Sequence, residues 1–164
     1  MKIILIGFAS SGKSTVGRIL ADKLQTNFYD TDALIEKETH LTVAQIFSQF
    51  GEEHFRALEN QTMERLRNVD NAVIALGGGS VLCAAFSALT ENATVVWLQV
   101  SADKAIERLA GDFTRPLFSG LTFAAFHDLI TKRNLLYSAA HNLAVDTDSK
   151  TPDQVAQEIL RCIQ

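Results

Sequence analysis

A glycine-rich stretch, GFASSGKST at residues 7–15, ends in a lysine followed by two hydroxyl side chains. It matches the pattern G-x-x-x-x-G-K-[ST] at every fixed position and lies between a predicted strand and a predicted helix. Backbone N–H groups at a helix start bind phosphate oxygens, the lysine adds positive charge, and the serine hydroxyl can ligate Mg²⁺. We therefore expect this segment, the P loop, to bind a nucleoside triphosphate through Gly7, Ser10, Ser11, Gly12, Lys13, Ser14 and Thr15.

Two large classes of triphosphate-binding protein do not fit the rest of the chain. The sequence has neither the N-K-x-D stretch nor the D-x-x-G switch that GTPases need. Large ATPase motors end a hydrophobic strand with an acidic residue, and the third and fourth predicted strands here end without one. An acidic partner for the metal must then come from elsewhere, and the nearest candidate is Asp30-Thr31-Asp32, which follows the second predicted strand.

This D-T-D stretch can serve the metal, an acceptor, or both. If the chain stays extended there, residues two apart point to the same side, so both carboxylates would face the ligand crevice. The alternative is that Asp32 only N-caps a helix that begins near Ala33.

Two further groups of residues are candidates for binding an acceptor. Arg56 and Glu59 share a face of a predicted helix, so Glu59 can orient the planar fork of Arg56 toward a ligand carboxylate. The alternative is an exposed ion pair of little energetic value. Three glycines at 77–79 follow a buried predicted strand and can offer bare backbone to a ligand, or form a plain loop.

The elements that must position these residues alternate in type along the chain. Short β-branched runs alternate with helical stretches, which is typical of a parallel sheet covered on both faces. The final helix has Thr151 as its predicted N-cap and Pro152 in its first turn. We predict one three-layer α/β domain over 1–164, with strands at 2–6, 27–30, 72–76, 94–99 and 143–146 and further helices at 13–24, 51–68 and 123–140.

The composition limits which cellular compartment and which classes of binding partner we expect. The 15 basic and 19 acidic residues give a net charge of −4, which argues against a nucleic-acid partner. The opening apolar run at 3–6 is too short for a signal peptide or a membrane span. Cys83 and Cys162 lie far apart without metal-type spacing, which is typical of reduced thiols. We expect a cytoplasmic monomer without a membrane partner.

The ordered set of motifs resembles the shikimate kinase family. After the P loop come D-T-D, then G-E-x-x-F-R-x-x-E, then G-G-G, then R-P-L, then R-x-x-L-Y, and this resemblance covers nearly the whole chain. It implies the P-loop fold of the nucleoside monophosphate kinases, with a parallel sheet of order 2-3-1-4-5 and a lid loop at about 111–121. It also implies ATP-dependent phosphorylation of the 3-hydroxyl of shikimate, in aromatic amino-acid biosynthesis.

The resemblance further implies a role for each matching residue. Lys13, Asp32 and Arg115 would be catalytic, with Arg115 closing from the lid on the transferring phosphoryl group. Asp30 would hold Mg²⁺ through water, beside Ser14. Shikimate would bind to Asp32, Arg56, Glu59, Gly77, Gly78, Gly79 and Arg133. ATP would be bound, beyond the P loop, by Arg108, Arg115, Lys150 and Pro152, of which Lys150 falls where an arginine often stacks on adenine.

Two other functions remain open on the sequence. Another small-molecule kinase of the same fold, such as a gluconate kinase, would also need to hold a carboxylate and hydroxyls. A nucleotide-binding regulatory relative without catalysis should have lost one of the four charged residues Lys13, Asp32, Arg56 and Arg115, and all four are present.

Overall fold

Five strands form one all-parallel sheet in the computed structural model, which describes residues 1–109, 118 and 120–163. The strands are β1 (Lys2–Ile6), β2 (Asn27–Asp30), β3 (Ala72–Ala75), β4 (Thr94–Gln99) and β5 (Leu143–Asp146). Their spatial order is β2-β3-β1-β4-β5, which confirms the expected order. The predicted strand bounds agree with the structure except that β3 ends one residue earlier than expected.

The order of the strands places three candidate segments side by side. β1 pairs with β3 on one side and with β4 on the other, and β3 pairs with β2. Because all strands run in the same direction, their C-terminal ends meet at one edge of the sheet. The P loop after β1, the D-T-D stretch after β2 and the three glycines after β3 therefore share that edge.

Helices cover both faces of the sheet, as the alternating pattern predicts. Alternate residues of β1 belong to two separate apolar clusters, with Ile4 and Ile6 in one and Ile3 and Leu5 in the other. The helices are α1 (Lys13–Leu24), α2 (Thr31–Thr39), α3 (Val43–Leu66), α4 (Ala85–Thr90), α5 (Ala102–Leu109), α6 (Phe123–Ser138) and α7 (Pro152–Ile163), with a 3₁₀ turn at Ser80–Leu82.

The helix predicted over 51–68 begins earlier and is broken inside. α3 begins at Val43, after a capping box in which Thr42 and Gln45 bond each other's backbone N–H groups. Gly51 interrupts it with non-helical angles, φ 84° and ψ 175°. The prediction placed the start of the helix at this glycine, whereas Gly51 is a break within a longer helix.

The end of the chain agrees more closely with the sequence. The Gln154 N–H donates to the Thr151 hydroxyl at 3.3 Å, which confirms the predicted N-cap of α7. α6 ends at Ser138, two residues before its predicted end. The expected lid at about 111–121 lies largely outside the described residues. No helix in the described ranges is long and apolar enough to cross a membrane.

Candidate active site

The P loop leaves the start of α1 open to a ligand. Gly12 is the N-cap residue of α1, with φ 90°, and among the described residues no side chain caps this helix end. The loop also lies close against β4, because a Cβ at Gly7 would be 2.5 Å from the carbonyl oxygen of Leu98. Only glycine fits at this position, because any side chain would clash with β4. The N-terminus of α1, which begins after Gly12, therefore lies with its backbone N–H groups bare at the cavity described below.

Lys13 and Ser14 begin α1 on the side of the P loop. The Lys13 ammonium donates to the carbonyls of Gly7 and Phe8, each at 2.8 Å. The Ser14 hydroxyl donates to Asp30 Oδ2 at 2.5 Å. A positive charge and a hydroxyl–carboxylate pair thus lie at the start of one helix, which suits a phosphate chain and its cation.

The two aspartates of the D-T-D stretch take different positions. Asp30 is the N-cap of α2, since its Oδ1 accepts from the Ala33 N–H at 3.2 Å, so the alternative that Asp32 caps this helix is wrong. The expectation of an extended chain here is also wrong, because α2 begins at Thr31. Both carboxylates nevertheless line the same cavity, since Asp32 lies in the first turn of α2.

One cavity of about 830 Å³ lies between the P loop and the three glycines. Its volume is in the range of small-molecule sites. Gly7, Ser11, Arg108, Lys150 and Pro152 do not line it, and Arg115 lies outside the described residues. It is lined by thirteen of the candidate residues, Ser10, Gly12, Lys13, Ser14, Thr15, Asp30, Asp32, Arg56, Glu59, Gly77, Gly78, Gly79 and Arg133.

Glu59 is a buried carboxylate that accepts hydrogen bonds from several side chains. Its residue is 0% exposed, so the alternative of an exposed ion pair is wrong. It accepts from Arg56 Nη1, from the Ser80 hydroxyl at 2.9 Å and from the Cys83 thiol at 3.8 Å. Burial by itself lowers the pKa of Arg56, but the charge of Glu59 and its hydrogen bond outweigh burial and raise that pKa. Glu59 therefore holds a fully charged guanidinium at the cavity wall.

Gly77–Gly79, the triglycine loop, contacts the charged wall closely. A Cβ at Gly79 would clash with the guanidinium of Arg56. At Gly77 it would lie 2.6 Å from Glu59 Oε1 and 2.8 Å from Asp32 Oδ1. The loop is therefore packed against the ion pair, and the alternative of a plain loop does not describe it.

Arg108 links the P loop to the segment after β5. Its Nη1 donates to the Ser10 carbonyl at 3.2 Å and to the Thr147 hydroxyl at 3.0 Å, and its Nη2 donates to the Thr147 carbonyl at 2.6 Å. Lys150, in the same segment, forms an ion pair with Glu158 at 2.7 Å. Pro152 begins α7. Of the three candidate adenine residues, Arg108 thus contacts the P loop, whereas Lys150 and Pro152 lie in the segment that Arg108 joins to it.

Sequence reasoning missed four residues that hold the site together. The Thr31 hydroxyl accepts from the Gly77 N–H at 3.0 Å, and the Tyr137 hydroxyl donates to the Gly78 carbonyl at 2.6 Å. Ser80 and Cys83 donate to Glu59, as described above. Thr31 and Tyr137 lie inside quoted motifs, D-T-D and R-x-x-L-Y, and that was the one signal available.

Ser14 and Asp30 are the residues of this site suited to a divalent cation. In the described part of the chain, no group of three or more histidine, cysteine, aspartate or glutamate residues could hold a metal. Mg²⁺ prefers oxygen ligands and commonly takes one or two from the protein, the rest from water and phosphate. A hydroxyl and a carboxylate in contact offer the oxygen ligands that such a hard cation prefers.

A family model, curated relatives and solved structures each match this chain to shikimate kinases. The family model described as Shikimate kinase matches residues 9–164. A curated shikimate kinase of Moorella thermoacetica is 42% identical over 163 residues, covering 99% of this chain and 94% of that relative. The solved shikimate kinase of Acinetobacter baumannii, in complex with shikimate, has a TM-score of 0.93 at 32% identity and covers 99% and 92% of the two chains. The solved shikimate kinase of Aquifex aeolicus has a TM-score of 0.86 at 35% identity, covering 99% and 96%.

Proposed function

The chain belongs to the shikimate kinase family and phosphorylates shikimate with ATP, and we propose that both substrates meet in the cavity described above. The observation that carries this proposal is the composition of the cavity wall. One part of the wall is the open N-terminus of α1, and another carries Arg56, Arg133 and Asp32. Phosphoryl transfer depends mainly on positioning and on charge stabilisation, and such a cavity supplies both.

The P loop and Arg108 bind ATP in this proposal. The N–H groups of the first turn of α1 donate to the phosphates, and Lys13 contributes a positive charge where negative charge develops. The contacts of Arg108 with Ser10 and Thr147 support its place at the adenosine end, together with Lys150 and Pro152. Arg115 is assigned to the transferring phosphoryl group by the family motif R-P-L alone.

Mg²⁺ is the proposed cofactor, and Ser14 and Asp30 would hold it. The contact between their oxygens, at 2.5 Å, supports this assignment. When bound, the ion would neutralise charge on the phosphates. Asp30 would keep its second oxygen on the N-terminus of α2, so the same residue would tie the cation to the start of the helix that carries Asp32.

Arg56 and Arg133 bind the carboxylate of shikimate in this proposal, and Asp32 acts on its hydroxyls. Glu59 balances the charge of Arg56, and Arg133 adds a second guanidinium to the wall that can pair with a carboxylate. Asp32 accepts a hydrogen bond from the 3-hydroxyl and orients its oxygen toward the γ-phosphorus. It takes the hydroxyl proton as this oxygen bonds to the γ-phosphorus and the bond from the γ-phosphorus to the ADP leaving group breaks.

The reaction is tested by ADP release from Mg-ATP in a coupled assay. We expect strong stimulation by shikimate and none by gluconate, since only the first acceptor fits the family assignment. Stimulation by gluconate instead would keep the ATP site and overturn the acceptor. Absence of stimulation by either, with ATP still bound, would favour the regulatory alternative.

A substitution of Arg133 tests whether the acceptor and ATP bind to different parts of the cavity wall. We expect Arg133→Ala to weaken shikimate binding by about tenfold or more, because a charge-assisted hydrogen bond is lost, while ATP binding stays within about twofold. The matched control is Lys132→Ala, which removes an exposed cation from the neighbouring position of α6. Equal losses for both substrates would contradict the role of Arg133.

We also propose a cytoplasmic monomer with small-molecule partners only. Both cysteines are free thiols, and the net charge is −4, which support a reducing compartment and no nucleic-acid partner. Light scattering after size exclusion tests the proposal, and a mass twice the 18.0 kDa of the chain would contradict it.

A further inference from the structure

In the triglycine loop, all three carbonyls accept hydrogen bonds from the protein, whereas only one of the three N–H groups donates one. The Gly77 N–H donates to Thr31. In the described part of the chain, the N–H groups of Gly78 and Gly79 have no hydrogen-bond partner. The three carbonyls accept, in chain order, from the Ser80 N–H at 3.1 Å, the Tyr137 hydroxyl at 2.6 Å and the Leu82 N–H at 3.0 Å. Two adjacent donors are therefore left for a ligand.

The direction of one of these donors follows from the Tyr137 contact. In a trans peptide the carbonyl and the next N–H point to opposite sides, and the described residues contain no cis bond. Tyr137 is 1% exposed and does not line the cavity, whereas Gly78 and Gly79 do. With its carbonyl directed at Tyr137, the Gly78–Gly79 peptide directs its N–H to the opposite side, away from the buried tyrosine.

We propose that Tyr137 is a positioning residue for the acceptor: its hydroxyl fixes the Gly78–Gly79 peptide so that the loop's N–H groups donate to an acceptor oxygen. This inference rests on the proposed function. Such a constraint matters because glycine on either side of the peptide permits more backbone conformations than any other residue. Arg133, one turn earlier on α6, reaches the same carbonyl only at 3.5 Å, so its movement onto a ligand would leave Tyr137 as the one side-chain donor to that carbonyl within the described ranges.

The environment of Tyr137 suits a permanent donor. Burial raises the pKa of its hydroxyl, so the proton stays in place throughout the neutral range. The ring lies 6.1 Å from that of Trp97, within the apolar cluster on this face of the sheet. Tyr137→Phe therefore removes the donor and keeps the packing that holds the ring.

The kinetic test uses Tyr137→Phe beside Tyr29→Phe, which removes the other tyrosine hydroxyl of the chain. We expect the first variant to raise the KM for shikimate about three- to tenfold, the range for one lost hydrogen bond, with the KM for ATP and kcat within about twofold. The control variant should match the wild type. An unchanged KM for shikimate, or equal rises for both substrates, overturns the inference.

A second measurement reads the peptide directly. The chain has nine glycines, so labelling with ¹⁵N-glycine gives a short amide spectrum in which Gly78 and Gly79 can be assigned by substitution. We expect shikimate to shift both amide protons downfield in the wild type and to shift them less in Tyr137→Phe. Equal shifts in the two proteins overturn the inference, whereas a wild type that neither binds nor phosphorylates shikimate contradicts the proposed function itself.

Discussion

Asp30 Oδ2 accepts a hydrogen bond from the Ser14 hydroxyl at 2.5 Å and so joins the end of β2 to the first turn of α1. The other oxygen of the same carboxylate caps α2 at 3.2 Å. One side chain therefore ties the proposed cation site to the helix that carries Asp32.

Asp30→Asn should separate the charge of this side chain from its capping role. Asparagine caps helices as well as aspartate does, so α2 should remain intact. The loss of negative charge should raise the Mg²⁺ concentration for half-maximal activity by about tenfold or more, because Mg²⁺ favours carboxylate ligands. The control is Asp22→Asn, on the exposed side of α1. The assignment fails if the Mg²⁺ dependence of Asp30→Asn equals that of the control.

Glu59→Gln should weaken acceptor binding and also lower the free energy of unfolding. Arg56 would lose its buried counter-charge, and the hydrogen bonds of Ser80 and Cys83 would lose their ionised acceptor, which predicts a loss of about 1–3 kcal/mol in the free energy of unfolding. We expect a rise of about tenfold in the KM for shikimate. Urea denaturation and steady-state kinetics measure the two effects.

The chain offers a matched control for this substitution. Glu52 contacts the same guanidinium at 3.2 Å, but its side chain is 52% exposed against 1% for Glu59. Exposed pairs contribute little, so Glu52→Gln should change neither quantity measurably. If both variants behave alike, the burial of Glu59 is not what orients Arg56.

Arg108→Ala should act on ATP alone. It removes three hydrogen bonds that join Ser10 of the P loop to Thr147. We expect the KM for ATP to rise about tenfold, since charge-assisted bonds are lost, with the KM for shikimate little changed. Lys104→Ala, on the same helix and paired with Glu107, is the control. A larger effect on shikimate than on ATP would contradict the position of Arg108 at the nucleotide end.

Cys83 should react slowly with iodoacetamide at pH 8. Burial raises the pKa of its thiol to about 11, and the charge of Glu59 adds to the rise, so the reactive thiolate is scarce. The exposed Cys162 should be modified first and serves as an internal reference in mass spectrometry. Glu59→Gln should speed modification of Cys83, because it removes the carboxylate. A Cys83 that reacts as fast as Cys162 would contradict the raised pKa of the Cys83 thiol.

The same shift predicts how alkali affects the fold. The folded-state pKa of about 11 lies above the ordinary value of 9.0, so the protonated thiol stabilises the fold below pH 9. This contribution is lost as the pH rises through about 11. Thermal unfolding of the wild type and of Cys83→Ala across that range measures it, and a parallel decline in both proteins would assign the loss to other groups.

Several features of the fold could be predicted because their causes are local. The P loop matches a pattern whose spacing is set by the turn it makes, and four of the strand bounds agree to the residue. The prediction placed a helix start at Gly51, because the spacing of apolar residues indicates which face of a helix is buried but not where its backbone bends. The capping signal Thr42-x-x-Gln45 was present in the sequence and was overlooked.

The sequence by itself determined the family, the order of the motifs and the residue types that phosphoryl transfer needs, since these depend on identity and spacing. Only the tertiary structure decided which carboxylate caps α2, whether Glu59 is buried, and what holds the triglycine loop. The reason is distance along the chain: Tyr137 and Gly78 are 59 residues apart, and Arg108 and Ser10 are 98 apart. Contacts of that separation arise when helices pack on a sheet, and no local pattern encodes the burial that gives them their strength.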